Sequence, residues 1–160
     1  MKYEGRNTVW GFRDRVLKNL MFLGFARNMG ADVHVVTELI TSLLGLIVFP
    51  YEEIRRSGYT SFDKYKLNDL THIGWPIWTI EIGSSDHLDD LVRHLRNAIS
   101  HRRIFFSSDS RELEAVEVRF SDCKSPKGPY DWEAKINAAE LQKFVLLFAD
   151  LLKEWERDYS

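Results

Sequence analysis

The sequence contains one cysteine, Cys123, so no intramolecular disulfide framework and no zinc site built on several thiolates can form. Long apolar runs are missing as well. The longest, Leu43–Phe49, falls far short of the roughly 20 residues that cross a bilayer. The opening MKYEGRNTVW lacks the apolar core of a signal peptide, and a cytoplasmic protein with no membrane contact is expected. Neither sign of charge dominates. The formal net charge of −2 argues against a general nucleic-acid coat and confines any such contact to a local patch. There is no Gly-rich phosphate loop, no nucleophile elbow, and no repeat or low-complexity tract. His34, His72, His87 and His94 are isolated from one another. The last two lie two helical turns apart, about 10.5 Å along the axis, too far to share one metal without other ligands. Neither a metal nor a cofactor is expected.

What is present is enough apolar chain for a core. At 160 residues, 44% hydrophobic and 13% aromatic, the sequence suits one globular domain over residues 1–160. Phe12, Val16, Leu20 and Leu23 mark the inner stripe of a first helix, capped by Asn7 or Thr8 and stopped beyond Asn28 by Gly30. Asp32 caps a second helix that runs to Phe49, where Pro50 ends it. Its apolar residues cover most of its circumference, which makes it central. Only the stripe His34, Glu38, Thr41 and Gly45 is left over, with small residues that let another helix approach.

Residues 58–85 are irregular, and Trp75, Ile77, Trp78 and Ile80 are expected to pack over the helices, with base stacking as the alternative. Residues 104–106, 115–120 and 132–136 alternate in strand fashion, and the last two segments predict an antiparallel hairpin around a loop at 121–131. Asn137 then starts the last helix, with Leu141, Phe144, Val145, Phe148, Leu151, Leu152 and Trp155 on one face. The expected fold is all-α, a four-helix bundle with a small β-hairpin inserted before the last helix.

The most informative stretch is Asp86–Arg103, DHLDDLVRHLRNAISHRR. Leu88, Leu91, Val92, Leu95 and Ile99 recur at the spacing of an amphipathic helix, with Asp86 as its cap and Asp89 and Asp90 at the positive end of the dipole. On the opposite face Asp90, His94, Asn97 and His101 fall on one line, flanked by Arg93 and Arg96. The run Arg93–Arg103 holds four arginines and two histidines, the one dense basic patch of the chain. Arg93, His94, Arg102 and Arg103 are the residues expected to meet phosphate.

Within that run, Arg96-Asn97-Ala98-Ile99-Ser100-His101 is an Arg and a His separated by four residues. The hexad closes an amphipathic helix and precedes a hairpin and a long apolar helix. In that setting it resembles the signature of the HEPN superfamily (higher eukaryotes and prokaryotes nucleotide-binding domains), above all its small bacterial, often plasmid-borne branch. Val36–Pro50, VTELITSLLGLIVFP, resembles the long core helix of that branch. The likeness covers roughly residues 6–50 and 86–157. It implies a HEPN-like four-helix bundle and a metal-independent endoribonuclease of toxin–antitoxin or defence systems. Arg96 and His101 are then its catalytic residues and single-stranded RNA its substrate. It further implies a homodimer that pairs the motif helices, with an antitoxin protein as a possible partner.

The residue chemistry suits that reading. An imidazole titrating near pH 6.5 can take a proton from a ribose 2′-hydroxyl or give one to the departing 5′-oxygen. A guanidinium can hold the scissile phosphate, and Asn97, a turn before His101, can orient its ring. Arg96 and His101 project roughly 140° apart on an ideal helix, a gap that a second motif across a two-fold axis would close. Two other readings stay open. In one the face is solvated surface on an interaction domain; in the other it is a non-catalytic nucleotide- or protein-binding module.

Overall fold

A computed structural model describes residues 9–57, 64–125 and 128–159; the expected caps Asn7 and Thr8 lie outside them. In chain order come α1 (Val9–Asn28), α2 (Val35–Leu46), a π turn at Ile47–Tyr51, α3 (Glu52–Ser57), α4 (Leu67–His72) and β1 (Thr79–Ile82). There follow α5 (Leu88–Ser100), β2 (Ile104–Phe106), β3 (Glu117–Asp122), β4 (Trp132–Asn137) and α6 (Ala138–Tyr159). The chain divides into two compact units, Met1–Ser61 with Phe144–Ser160, and Phe62–Lys143.

In the first unit α1 packs on α2. Gly45 permits the approach: a Cβ there would stand 2.6 Å from the Phe12 ring. The expected small-residue face of α2 is therefore where α1 comes close. Leu39, Leu43, Leu46 and Ile47 are fully buried. Glu38 accepts hydrogen bonds from Thr41 (3.3 Å) and Ser42 (3.4 Å) of its own helix, a structural use of that carboxylate. The expected start and stop of α2 both shift. Its N-cap is His34, which makes no side-chain cap bond. Pro50 does not end the helix but sits inside the π turn that leads into α3. Proline has no N–H to offer an ordinary helical turn, and a widened turn absorbs that loss. Tyr51 lies against Phe148, ring centroids 6.1 Å apart.

The second unit places α5 on a sheet of order β1-β4-β3-β2, with all neighbours antiparallel. The expected hairpin exists as β3 and β4, but it is only the middle of that sheet. The protein is accordingly a mixed α/β fold, and the all-α four-helix bundle with a hairpin insertion is corrected. The two added strands carry weak signals. β1 is four residues long and largely exposed, so the alternation of Ile80 and Ile82 is too brief to mark it, and its pairing to β4 slips between those two residues. β2 lies where the sequence reads as strand, at Ile104–Phe106, but three residues are too few to show which strand they pair with. Trp78 packs on Phe120, centroids 5.8 Å apart, so this aromatic belongs to the sheet. β3 also runs two residues past the expected Phe120, into what reads as loop.

Candidate active site

Helix α5 forms as its spacing dictates. Leu88, Leu91, Val92, Leu95 and Ala98 are fully buried, and α5 packs on β3. Its N-cap is His87 rather than Asp86, without a side-chain cap bond. At the other end the last turn closes through Arg102 N–H to Ile99 O (3.1 Å) and Arg103 N–H to Ala98 O (2.8 Å). Arg102 takes φ +58°, in the left-handed region. The same pair of bonds ends α1, where Gly30 N–H meets Arg27 O at 2.8 Å and Ala31 N–H meets Ala26 O at 2.9 Å. Glycine is the usual occupant of that position. Arginine there carries backbone strain that glycine would not. His101 and Arg102 are both exposed.

The polar face of α5 converges on a residue that sequence reasoning missed. Asp122, 4% exposed, ends β3. Its Oδ2 accepts from His94 Nδ1 at 2.8 Å and from Asn97 Nδ2 at 3.0 Å. Its Oδ1 accepts from the Cys123 backbone N–H at 2.8 Å and stands 3.5 Å from Arg103 Nη1. Burial raises the Asp122 carboxyl, but the hydrogen bonds from Asn97, His94 and Cys123 outweigh it and hold the group below its ordinary range. The signal for Asp122 was present. Val118, Phe120 and Asp122 share one strand face, so an acid at the third place is carried inward. Its partner across the pair is Trp132.

The His94 ring lies flat on Trp132, centroids 4.6 Å apart with planes at 5°. Trp132 Nε1 in turn donates to Ser85 Oγ (2.9 Å). Because the carboxylate only accepts, His94 Nδ1 carries the proton and Nε2 is left as an acceptor. Arg93 Nη2 donates to that nitrogen at 3.1 Å. Burial lowers the His94 pKa from its ordinary value, the hydrogen bond to Asp122 opposes the shift, and the Arg93 charge adds to it. Arg96 Nη2 donates to Asn97 Oδ1 at 3.3 Å, so Arg96 and Asn97 join the Asp122 network. Of the expected site residues, His94, Asn97 and Arg103 thus meet at one carboxylate, Arg93 and Arg96 border them, and His101 and Arg102 lie at the helix end. Among the described residues no group of three or more His, Cys, Asp or Glu is placed to hold a metal ion, and no helix is long and apolar enough to cross a membrane.

A family model described as HEPN pEK499 p136 matches residues 1–159. The chain belongs to that HEPN family. No curated protein and no solved structure matches it. The resemblance read from the Arg96–His101 hexad is borne out at the level of the family. Within this HEPN domain the hexad spans two environments, a half-buried hydrogen-bonded network at Arg96-Asn97 and an open helix end at His101.

Proposed function

We propose that this HEPN protein is a metal-independent endoribonuclease acting on single-stranded RNA. The observation that carries the reading is the open helix end, where exposed His101 sits beside the strained, exposed Arg102, one turn beyond Arg96 and Asn97. An imidazole in that position reaches a bound phosphodiester and moves a proton at it. Arg96, with Arg93, Arg102 and Arg103 about it, supplies charge that favours the phosphate and its developing oxyanion. The substrate's own 2′-hydroxyl is the nucleophile, so the products are a 2′,3′-cyclic phosphate and a 5′-hydroxyl. The same reading makes the protein a cytoplasmic homodimer paired through α5, in toxin–antitoxin or defence biology, with an antitoxin as candidate partner.

The binding-module reading has one observation in its favour. His94, Asn97 and Arg103 direct polar atoms to Asp122, which is a structural use of them. Purified protein incubated with unstructured RNA in EDTA, beside His101→Ala, separates the two. Cleavage by the parent and at least about 100-fold less by the variant is the expected result. Equal cutting by both, or none by either across several RNAs, would transfer the assignment to the non-catalytic module. Cutting only with Mg²⁺ would overturn the mechanism.

A further inference from the structure

Cleavage through the 2′-hydroxyl needs two proton movements, one off the nucleophile and one onto the leaving oxygen, and His101 accounts for one of them. A second imidazole lies on the same helix. We propose, resting on the ribonuclease reading, that His94 oriented by Asp122 is the general base for the 2′-hydroxyl, with His101 as the acid at the departing 5′-oxygen.

Three observations carry this. First, the ring is fixed in one orientation and one tautomer, by Asp122 on Nδ1 at 2.8 Å and by the stack on Trp132 at 4.6 Å. A buried carboxylate behind an imidazole is the arrangement that presents the far nitrogen as a base and stabilises the imidazolium once it forms. Second, His94 is not needed merely to satisfy Asp122. Asn97 and the Cys123 N–H also donate to that carboxylate, and Arg103 supplies an opposite charge. Among these partners His94 alone keeps a basic nitrogen as its remaining acceptor, since that of Asn97 is an amide oxygen taken by Arg96. Third, the network continues from Asp122 through Asn97 to Arg96, which ties His94 to the Arg of the hexad.

The acceptor, Nε2, is held by Arg93, whose side chain is 43% exposed. A phosphate drawing the guanidinium to itself would release Nε2 at the moment substrate binds. The groups facing His94 are Asp90 and Arg93 of its own helix and Asp122 from β3, with Arg103 behind the carboxylate. Burial and Arg93 keep the ring neutral near pH 7, as a base must be. Two turns, about 10.5 Å along the axis, separate His94 from His101. Hydrogen bonds of about 2.8 Å to each of two oxygens on opposite sides of one phosphorus cover most of that distance.

In the step, His94 Nε2 takes the 2′-hydroxyl proton as the 2′-oxygen bonds to phosphorus. The bond from phosphorus to the 5′-oxygen breaks, and that oxygen receives a proton from the His101 imidazolium. Water returns the two imidazoles to their starting states.

The test compares ordinary RNA with RNA whose 5′-bridging oxygen is replaced by sulfur, a leaving group that needs no proton. His94→Gln is expected to lower kcat/KM by about 100-fold or more on both substrates and to remove the acidic limb of the pH profile. His101→Ala is expected to fail on the oxygen substrate and to recover on the sulfur one. A folded His94→Gln protein that cuts within a few-fold of the parent would overturn the assignment, as would recovery of that variant on sulfur, which would make His94 the acid. If His94→Gln does not fold, the parent decides by ¹⁵N titration. His94 titrating with the acidic limb supports the assignment, and a limb that follows another histidine ends it. A parent inert on every RNA would overturn the ribonuclease reading itself.

Discussion

Arg102 holds at the end of α5 the place that Gly30 holds at the end of α1, with the same two backbone bonds and positive φ values of 58° and 83°. A side chain in the left-handed region costs about 1 kcal/mol. Arg102→Gly is therefore expected to raise stability by about 1 kcal/mol, seen as a melting temperature higher by roughly 2–4 °C. A lower melting temperature would show that the arginine contributes contacts worth more than the strain. The pair beneath it sets the response to acid. His94 is lowered from 6.5, so in the window just below pH 6.5 the unfolded chain binds a proton the folded chain does not. Stability is then full above that window and lost as pH falls through it. Asp122, lowered from 3.8, adds a second loss below that pH. Thermal melts from pH 8 down should show both falls, and His94→Gln should keep only the second. A melting temperature flat through the first window would contradict the His94 assignment.

At the scale of elements, Gly83 shows how tightly β1 meets the start of β4. Its φ is +75°, and a Cβ there would stand 2.7 Å from the Asp131 carbonyl oxygen. Gly83→Ala is expected to cost about 2 kcal/mol, through left-handed strain and contact with rigid backbone; urea denaturation with an unchanged midpoint would refute the contact. Such features mark the limit of what the sequence shows. Helices α1, α5 and α6 were legible because each repeats an apolar stripe over three or more turns. β3 and β4 were legible because Val118, Phe120, Ala134 and Ile136 alternate. β1 was not, since Thr79–Ile82 is short and mostly exposed. Pro50 misled because proline ordinarily ends a helix, whereas a π turn carries the chain past it. The hexad showed Arg96, Asn97 and His101, but the carboxylate that organises their neighbourhood lies in another element. Asp122 could be placed only by continuing the inward alternation of β3 two residues beyond its last apolar member.

For the whole molecule, the proposal of a homodimer paired through α5 rests on a helix whose apolar face is buried while its basic end is exposed. Like charges must then be offset across the axis, a role the proposal gives to Asp89 and Asp90 of the partner copy. Light scattering at micromolar concentration is expected to give twice the chain mass, and a monomer would remove the two-fold site. The central claim concerns chemistry, and the ends of the products report it most directly. A short RNA of defined sequence is digested in EDTA and the fragments are weighed by mass spectrometry. The account predicts upstream fragments ending in 2′,3′-cyclic phosphate and downstream fragments beginning with a 5′-hydroxyl. Fragments with 5′-phosphate and 3′-hydroxyl ends, or an RNA left intact, would contradict it.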